Sequence, residues 1–260
     1  MYISDSIMST YISDPNSFKF KKPTNWTYMP LYEKIRYYCR VLTADYAPYV
    51  DKIYAKEIVK GICGDRIEVA KLIRILSDPN DISECDLSSN YIIKSAHGSG
   101  WNISTFKDVT IDSIIKCLEK WNRTYSISEI QYTFLKPRFY IEEKINDIWS
   151  GISGNAQVFM FRCIHGSPIT IGVKRDSIQN SYDINWIPLS RDSFKLERPP
   201  QIDEMIELAK MLSAPFEFVR IDFYLSKDGR IYFSEFTFTP AGGNIVFSKH
   251  HELVLGRLWK

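Results

Sequence analysis

Asp228-Gly229 is the dipeptide from which the rest of this sequence can be read outward. The runs on either side, Phe218 to Leu225 and Arg230 to Thr237, are rich in β-branched and aromatic residues. An Asp-Gly pair between two such runs is a strong short-range hairpin signal. A two-residue turn makes Lys227 face Arg230, and then sets Tyr224 opposite Phe233, Asp222 opposite Glu235 and Arg220 opposite Thr237. Side chains alternate along a strand, so these residues share one face, while Val219, Ile221, Phe223, Phe236 and Phe238 form a greasy one.

Two carboxylates directly opposite one another would lie on the order of 5 Å apart, and at an effective dielectric near 20 their repulsion costs about 3 kcal/mol. A cation is therefore expected at the site. Arg220 could neutralise one carboxylate. The all-oxygen set Asp222, Glu235 and Thr237 also suits Mg²⁺, which prefers carboxylates together with phosphate oxygens. A merely solvated hairpin face would show the same charges, but the apolar opposite face reads as core and favours a site.

Composition narrows the classes. The chain has 260 residues, enough for one large domain or two small ones sharing a cleft. Lysine and arginine total 33 against 31 acidic residues, so the net charge of +2 gives no reason to invoke nucleic acid or an anionic membrane. The five cysteines, Cys39, Cys63, Cys85, Cys117 and Cys163, are scattered without metal-ligand spacing and read as reduced thiols of a cytoplasmic protein. No apolar run reaches the roughly 18 residues of a membrane span, and no charged-then-apolar leader is evident.

Residues 1–30 lack periodicity and are expected as an irregular arm. Leu31 to Leu42 has helical spacing, and a second helix is predicted after Val50 with Asp51 as its cap. Its Lys52 and Lys56 read most simply as a solvated face. Gly61 to Asn90 fits helix or strand. Tyr91 to Lys94 is predicted as a buried strand entering the small-residue loop Ser95 to Asn102, whose two glycines and strand-end lysine suit a phosphate cradle and equally an ordinary turn. It is neither a Walker loop nor a Rossmann fingerprint.

Thr110 caps a helix with the apolar stripe Ile111, Ile114, Ile115, Leu118 and Trp121. Arg138 to Ile145 is a strand that turns charged at Glu142-Glu143-Lys144, a pattern that fits solvent exposure or the reading of a nucleotide base beside Ile145. Val158 to Cys163 and Ile169 to Val173 form a hairpin that delivers Lys174, with His165 a structural turn residue. The segment around Trp186 is expected as a packed loop. Ile202 to Leu212 is an amphipathic helix behind the opening hairpin, and helix followed by hairpin marks an α+β fold.

Taken in order, these motifs resemble the ATP-grasp enzymes and, more narrowly, the TupA-like ATP-grasp family. The resemblance is carried by Asp51-Lys52, Ile93-Lys94…His97-Gly98-Ser99-Gly100, Glu142-Glu143 and Arg220-x-Asp222…Phe233-x-Glu235-x-Thr237-x-Thr239-Pro240, and runs from about Leu31 to the C-terminus. It implies an α+β ATP-grasp fold, with two α+β subdomains gripping Mg-ATP and a reduced N-terminal segment. Residues 1–45 would be an arm and helix, 46–140 the subdomain with the phosphate-binding loop, and 141–260 the subdomain with the metal-binding hairpin.

The resemblance also implies roles. Lys52 and Lys94 would contact the ATP phosphates under the loop containing His97, Gly98, Ser99 and Gly100. Glu142 would also belong to the nucleotide site, Glu143, Lys144 and Ile145 would hold the adenine, Asp147 would reach the ribose and Lys174 the terminal phosphate. Asp222 and Glu235, with Thr237, would ligate Mg²⁺, and Arg220 would stabilise an acyl-phosphate. The implied activity is ATP-dependent joining of an amine to a carboxylate, with a uronic acid-type glycan as acceptor. A phosphotransferase or a silent nucleotide-binding module on the same fold are the alternatives.

Overall fold

Runs rich in β-branched and aromatic residues build two sheets. The computed structural model of the chain describes residues 18–104, 109–149, 156–189, 191 and 193–260. Residues 1–17 of the expected irregular arm lie outside them. Of the arm residues that are described, Phe18 and Trp26 are buried, Phe18 against Tyr46, Tyr49 and Phe216, and Trp26 against Trp259.

The larger, six-stranded sheet runs in the order β1 (Glu68–Val69), β10 (Ile231–Thr237), β9 (Phe218–Leu225), β6 (Val158–Ile164), β7 (Ser167–Arg175), β8 (Ile178–Asp183). All neighbours are antiparallel except β1 with β10. The four-stranded sheet runs β2 (Leu72–Leu76), β5 (Phe139–Glu143), β3 (Tyr91–Ser95), β4 (Asn102–Ile103), also antiparallel. The segment that was ambiguous between helix and strand is thus partly strand, because Leu72–Leu76 finds a pairing edge on β5. The expected boundary at residue 140 cuts through β5, and Glu68–Val69 joins the other sheet.

Helices α1 (Leu31–Tyr38), α2 (Ala47–Val50), α3 (Tyr54–Cys63), α4 (Ile111–Trp121), α5 (Ile202–Ser213) and α6 (Lys249–Leu258) complete the fold. Helix α3 begins where Asp51 Oδ1 accepts from the amides of Ile53 and Tyr54, and α4 where Thr110 accepts from Ser113. Helix α5 buries Ile202, Met205, Leu208, Ala209 and Leu212 against the large sheet, and α4 buries Ile114 and Leu118 against the small one. The first part of the expected Trp186 loop is instead strand β8, and Trp186 folds back to stack on Tyr182 with ring centroids 4.3 Å apart.

The β9–β10 hairpin differs from the expected one at its tip and agrees at its base. The loop has three residues, Lys227-Asp228-Gly229, closed by Ser226 N–H to Arg230 O at 3.0 Å and Gly229 N–H to Ser226 O at 2.9 Å. Gly229 has φ +82°, the left-handed position such a loop requires. Near the tip Tyr224 therefore faces Tyr232, and Phe233 faces Phe223 on the core side rather than Tyr224. A bulge at Ser234 then inserts one residue, and the predicted pairs Asp222–Glu235 and Arg220–Thr237 are in place. The bulge lets Phe233 and Glu235, two positions apart, point to opposite faces.

Candidate active site

Register arranges the cleft face of the large sheet in rows. Val158 of β6 pairs with Lys174 of β7; Met160 pairs with Asp222 and Gly172; Arg162 pairs with Arg220 and Thr170. Glu235 and Thr237 extend the second and third rows onto β10. An isolated bridge from Asp147 to Ser226 puts the segment after β5 at the hairpin-loop end, beyond the first row. Between the sheets lies a cavity of about 830 Å³, whose wall includes Lys52, Lys94, Glu142, Arg162, Arg220, Asp222 and Glu235.

The two carboxylates are held by two cations from different parts of the chain. Arg220 grips Asp222 in a bidentate pair, Nε to Oδ1 2.7 Å and Nη2 to Oδ2 2.5 Å, and reaches Glu235 Oε1 at 3.4 Å. Lys52, just ahead of α3, approaches Glu235 Oε2 at 3.1 Å and also donates to Gly98 O. Thr237 Oγ1 accepts from Arg220 at 3.1 Å and donates to Glu235 at 3.2 Å. Asp222 is 2% exposed, and burial pushes its carboxyl up to about 6 although Arg220 pulls it down. Burial also works against ionised Glu235, but Lys52 and Arg220 outweigh it and hold that group down at about 2.

Lys94 belongs to a second cluster on the opposite wall. Its ammonium lies 2.6 Å from Glu142 Oε1, and Lys56 holds Oε2 of the same carboxylate. Burial opposes charge on Glu142, yet the two lysines keep it below its ordinary value. Lys94 is held above its own ordinary value, Glu142 overcoming burial, whereas burial pushes Lys56 below its own. Glu142 therefore fixes two lysine heads in the cavity wall.

The loop after β3 departs from its expected role in part. Ser99 and Gly100 line the cavity. His97 does not face it: the ring is 1% exposed, Nε2–H donates to Trp121 O at 2.8 Å and Nδ1 accepts from Arg138 N–H at 3.1 Å. Burial lowers its pKa, so the neutral ring is a strut between β5 and α4. Gly98 is required by packing, since a Cβ there would stand 2.7 Å from the Trp101 ring.

Lys144 and Ile145 line the cavity at the hairpin-loop end, as does Glu143, which pairs with Lys71 at 3.5 Å. Asp147, expected at the ribose, is not in the cavity wall: it is buried and accepts from the amides of Trp149 and Gln157, and burial pushes it up to about 6. Lys174, expected at the terminal phosphate, stands in the first row, further from Arg220 than the carboxylates are. Three features go beyond those the sequence predicts: Arg162 lines the cavity, Lys56 is an ion-pair partner rather than a solvated residue, and Arg138 Nη2 holds Asp51 Oδ2 at 2.5 Å. The signal for Arg162 was present, as an arginine inside an otherwise apolar strand.

The family model described as TupA-like ATPgrasp matches residues 33–260. No curated protein matches. Among solved structures, the chain is similar to a D-alanine–D-alanine ligase from Bacillus anthracis complexed with ATP (17% identity, 75% of this chain and 55% of that one, TM-score 0.46). It is also similar to N5-carboxyaminoimidazole synthetase from Staphylococcus aureus (13% identity, 82% and 52%, TM-score 0.46) and to the ATP-grasp ligase PsnB complexed with minimal precursor, Mg and ADP (13% identity, 81% and 59%, TM-score 0.43). The chain spans about half the length of these structures. The family match, by contrast, takes in both sheets and every element of the cleft, and the chain belongs to the TupA-like ATP-grasp family.

Proposed function

We propose that this protein is an ATP- and Mg²⁺-dependent carboxylate–amine ligase. It would act through an acyl-phosphate, joining an amino acid or other amine to a carboxylated, uronic acid-type glycan acceptor in the cytoplasm. One observation carries the reading: Lys52 and Arg220 converge on two facing carboxylates, with Lys94 on the opposite wall of the same inter-sheet cavity.

The donor set fits magnesium. Asp222 and Glu235 are opposed in register, and among the described residues no third histidine, cysteine, aspartate or glutamate joins them. The remaining positions fall to phosphate oxygens and water, the coordination Mg²⁺ favours. Held by Asp222 and Glu235, such an ion would supply charge neutralisation at the phosphates. Residues 46–140 then contribute Lys52, Lys94, Ser99 and Gly100 at the phosphates, and residues 141–260 contribute Lys144, Ile145, the metal carboxylates and Arg220.

In the reaction an acceptor carboxylate oxygen attacks the terminal phosphorus and the bond to the departing ADP oxygen breaks. The amine then attacks the acyl carbon and phosphate leaves. Arg220 stabilises the charge of the acyl-phosphate and of the tetrahedral species, so catalysis is chiefly positioning and charge compensation. The test is to supply Mg-ATP with uronic acids and amines and follow ADP and free phosphate. Release that needs both co-substrates is expected. A lasting phosphorylated product would establish phosphotransfer instead, and absence of nucleotide binding would refute both enzyme readings.

A further inference from the structure

Arg162 is a buried cation whose nearest carboxylates are already spent. It is 3% exposed and forms part of the cavity wall, and its Nη1 has no hydrogen-bond partner among the described residues. Asp222 is taken by Arg220, and Glu252 accepts from the amides of Tyr32, Val246 and Phe247. The Phe247 ring covers the guanidinium, 4.9 Å from its carbon. Burial and the neighbouring Arg220 lower its pKa to about 10. Asp222 and Glu252 offset part of the cost of this buried charge, but a guanidinium N–H left without a hydrogen-bond partner in such a place is costly and calls for an acceptor.

Register says which anion. Arg162 shares the third row with Arg220, on the far side of the carboxylate row from Lys144 and Ile145. Rows two residues apart along a strand are about 7 Å apart. A nucleotide whose base lies at the Ile145 end and whose phosphates meet Asp222 and Glu235 ends before this row. What lies beside Arg162 is then the acceptor.

We propose that Arg162 is the seat for a carboxylate of the acceptor, one row beyond the metal-binding carboxylates and next to Arg220. The assignment rests on the ligase reading for the identity of the carboxylate's bearer. The presence of the anion seat does not depend on it.

The probe is sodium acetate, titrated at constant ionic strength against sodium chloride into the full chain saturated with magnesium and a non-hydrolysable ATP analogue, with thermal midpoint and calorimetry as readouts. Wild type is expected to bind acetate with a dissociation constant of order 1 mM. Arg162→Met should weaken this at least about tenfold while nucleotide affinity stays within about threefold, and Arg162→Lys should retain part of it. Because Arg162→Met removes a buried cation with an unsatisfied N–H group, the unliganded variant should melt no lower than wild type.

Acetate binding that Arg162→Met leaves unchanged would overturn the proposal, as would no acetate binding by wild type. A tenfold loss of nucleotide affinity in Arg162→Met would assign the residue to a nucleotide phosphate, and a midpoint lower by about 5 °C or more would assign it a structural partner. If wild type binds no nucleotide, the ligase reading fails, and the same titration on the bare protein still decides the anion seat.

Discussion

Arg220 holds Asp222 from two positions away on the same strand, through two parallel hydrogen bonds of 2.7 and 2.5 Å. The residue proposed to stabilise the acyl-phosphate and the tetrahedral species is thus occupied by a proposed metal ligand. An ion that takes Asp222 frees the guanidinium, so the two proposed roles are linked by competition for one carboxylate.

That competition gives the first prediction. Arg220→Gln should bind Mg²⁺ alone about tenfold more tightly than wild type, equivalent to about 1.4 kcal/mol, because a competing cation is removed. The same variant should lose ATP-dependent turnover by at least about 100-fold, the scale for removing one preorganised charge-stabilising donor. Magnesium titration without nucleotide, paired with an ADP-release assay, checks both.

Glu235→Gln keeps the shape of the side chain and its contact with Thr237 but removes the charge shared by Lys52 and Arg220. Magnesium-dependent ADP formation should fall by about 100-fold or more while the far-ultraviolet circular dichroism is unchanged. Survival of activity would remove Glu235 from the metal site.

Glu142 and Lys94 should separate folding from nucleotide binding. Glu142→Gln leaves Lys56 and Lys94 facing each other without a counter-charge, and should destabilise by about 3–5 kcal/mol in denaturant unfolding. Lys94→Ala leaves Glu142 with Lys56. Its folding should be milder in cost, and its nucleotide affinity should fall about tenfold, more than any acceptor affinity does.

His97 sets a pH dependence. Its folded pKa lies below the ordinary histidine value because the ring is buried, so between the two values the unfolded chain binds the extra proton. Stability should therefore fall as pH drops through about 6.5, the unfolded value. The stability of wild type relative to His97→Gln should fall as pH drops from 8 to 5, a comparison that cancels the opposing proton uptake of the buried Asp222 and Asp147.

Much of the hairpin was legible in the sequence. Period-two alternation is local, so the residues from Val219 to Phe238 were enough to oppose Asp222 with Glu235 and Arg220 with Thr237. This held although the loop has three residues rather than two, because the Ser234 bulge restores the offset. The caps at Asp51 and Thr110 were legible for the same reason, being short-range contacts between a side chain and nearby amides.

Partnership between elements was not legible. Nothing local to Glu142 says that it lies between Lys56 and Lys94, nothing local to His97 says that Trp121 and Arg138 close over its ring, and nothing local to Asp147 says that it binds backbone amides. Charges meet across elements only once packing fixes which faces approach. So the sequence by itself determined the facing carboxylates and their need for a cation. The tertiary structure decided that Lys52 and Arg220 supply it, and left Arg162 buried beside them with its Nη1 unpaired.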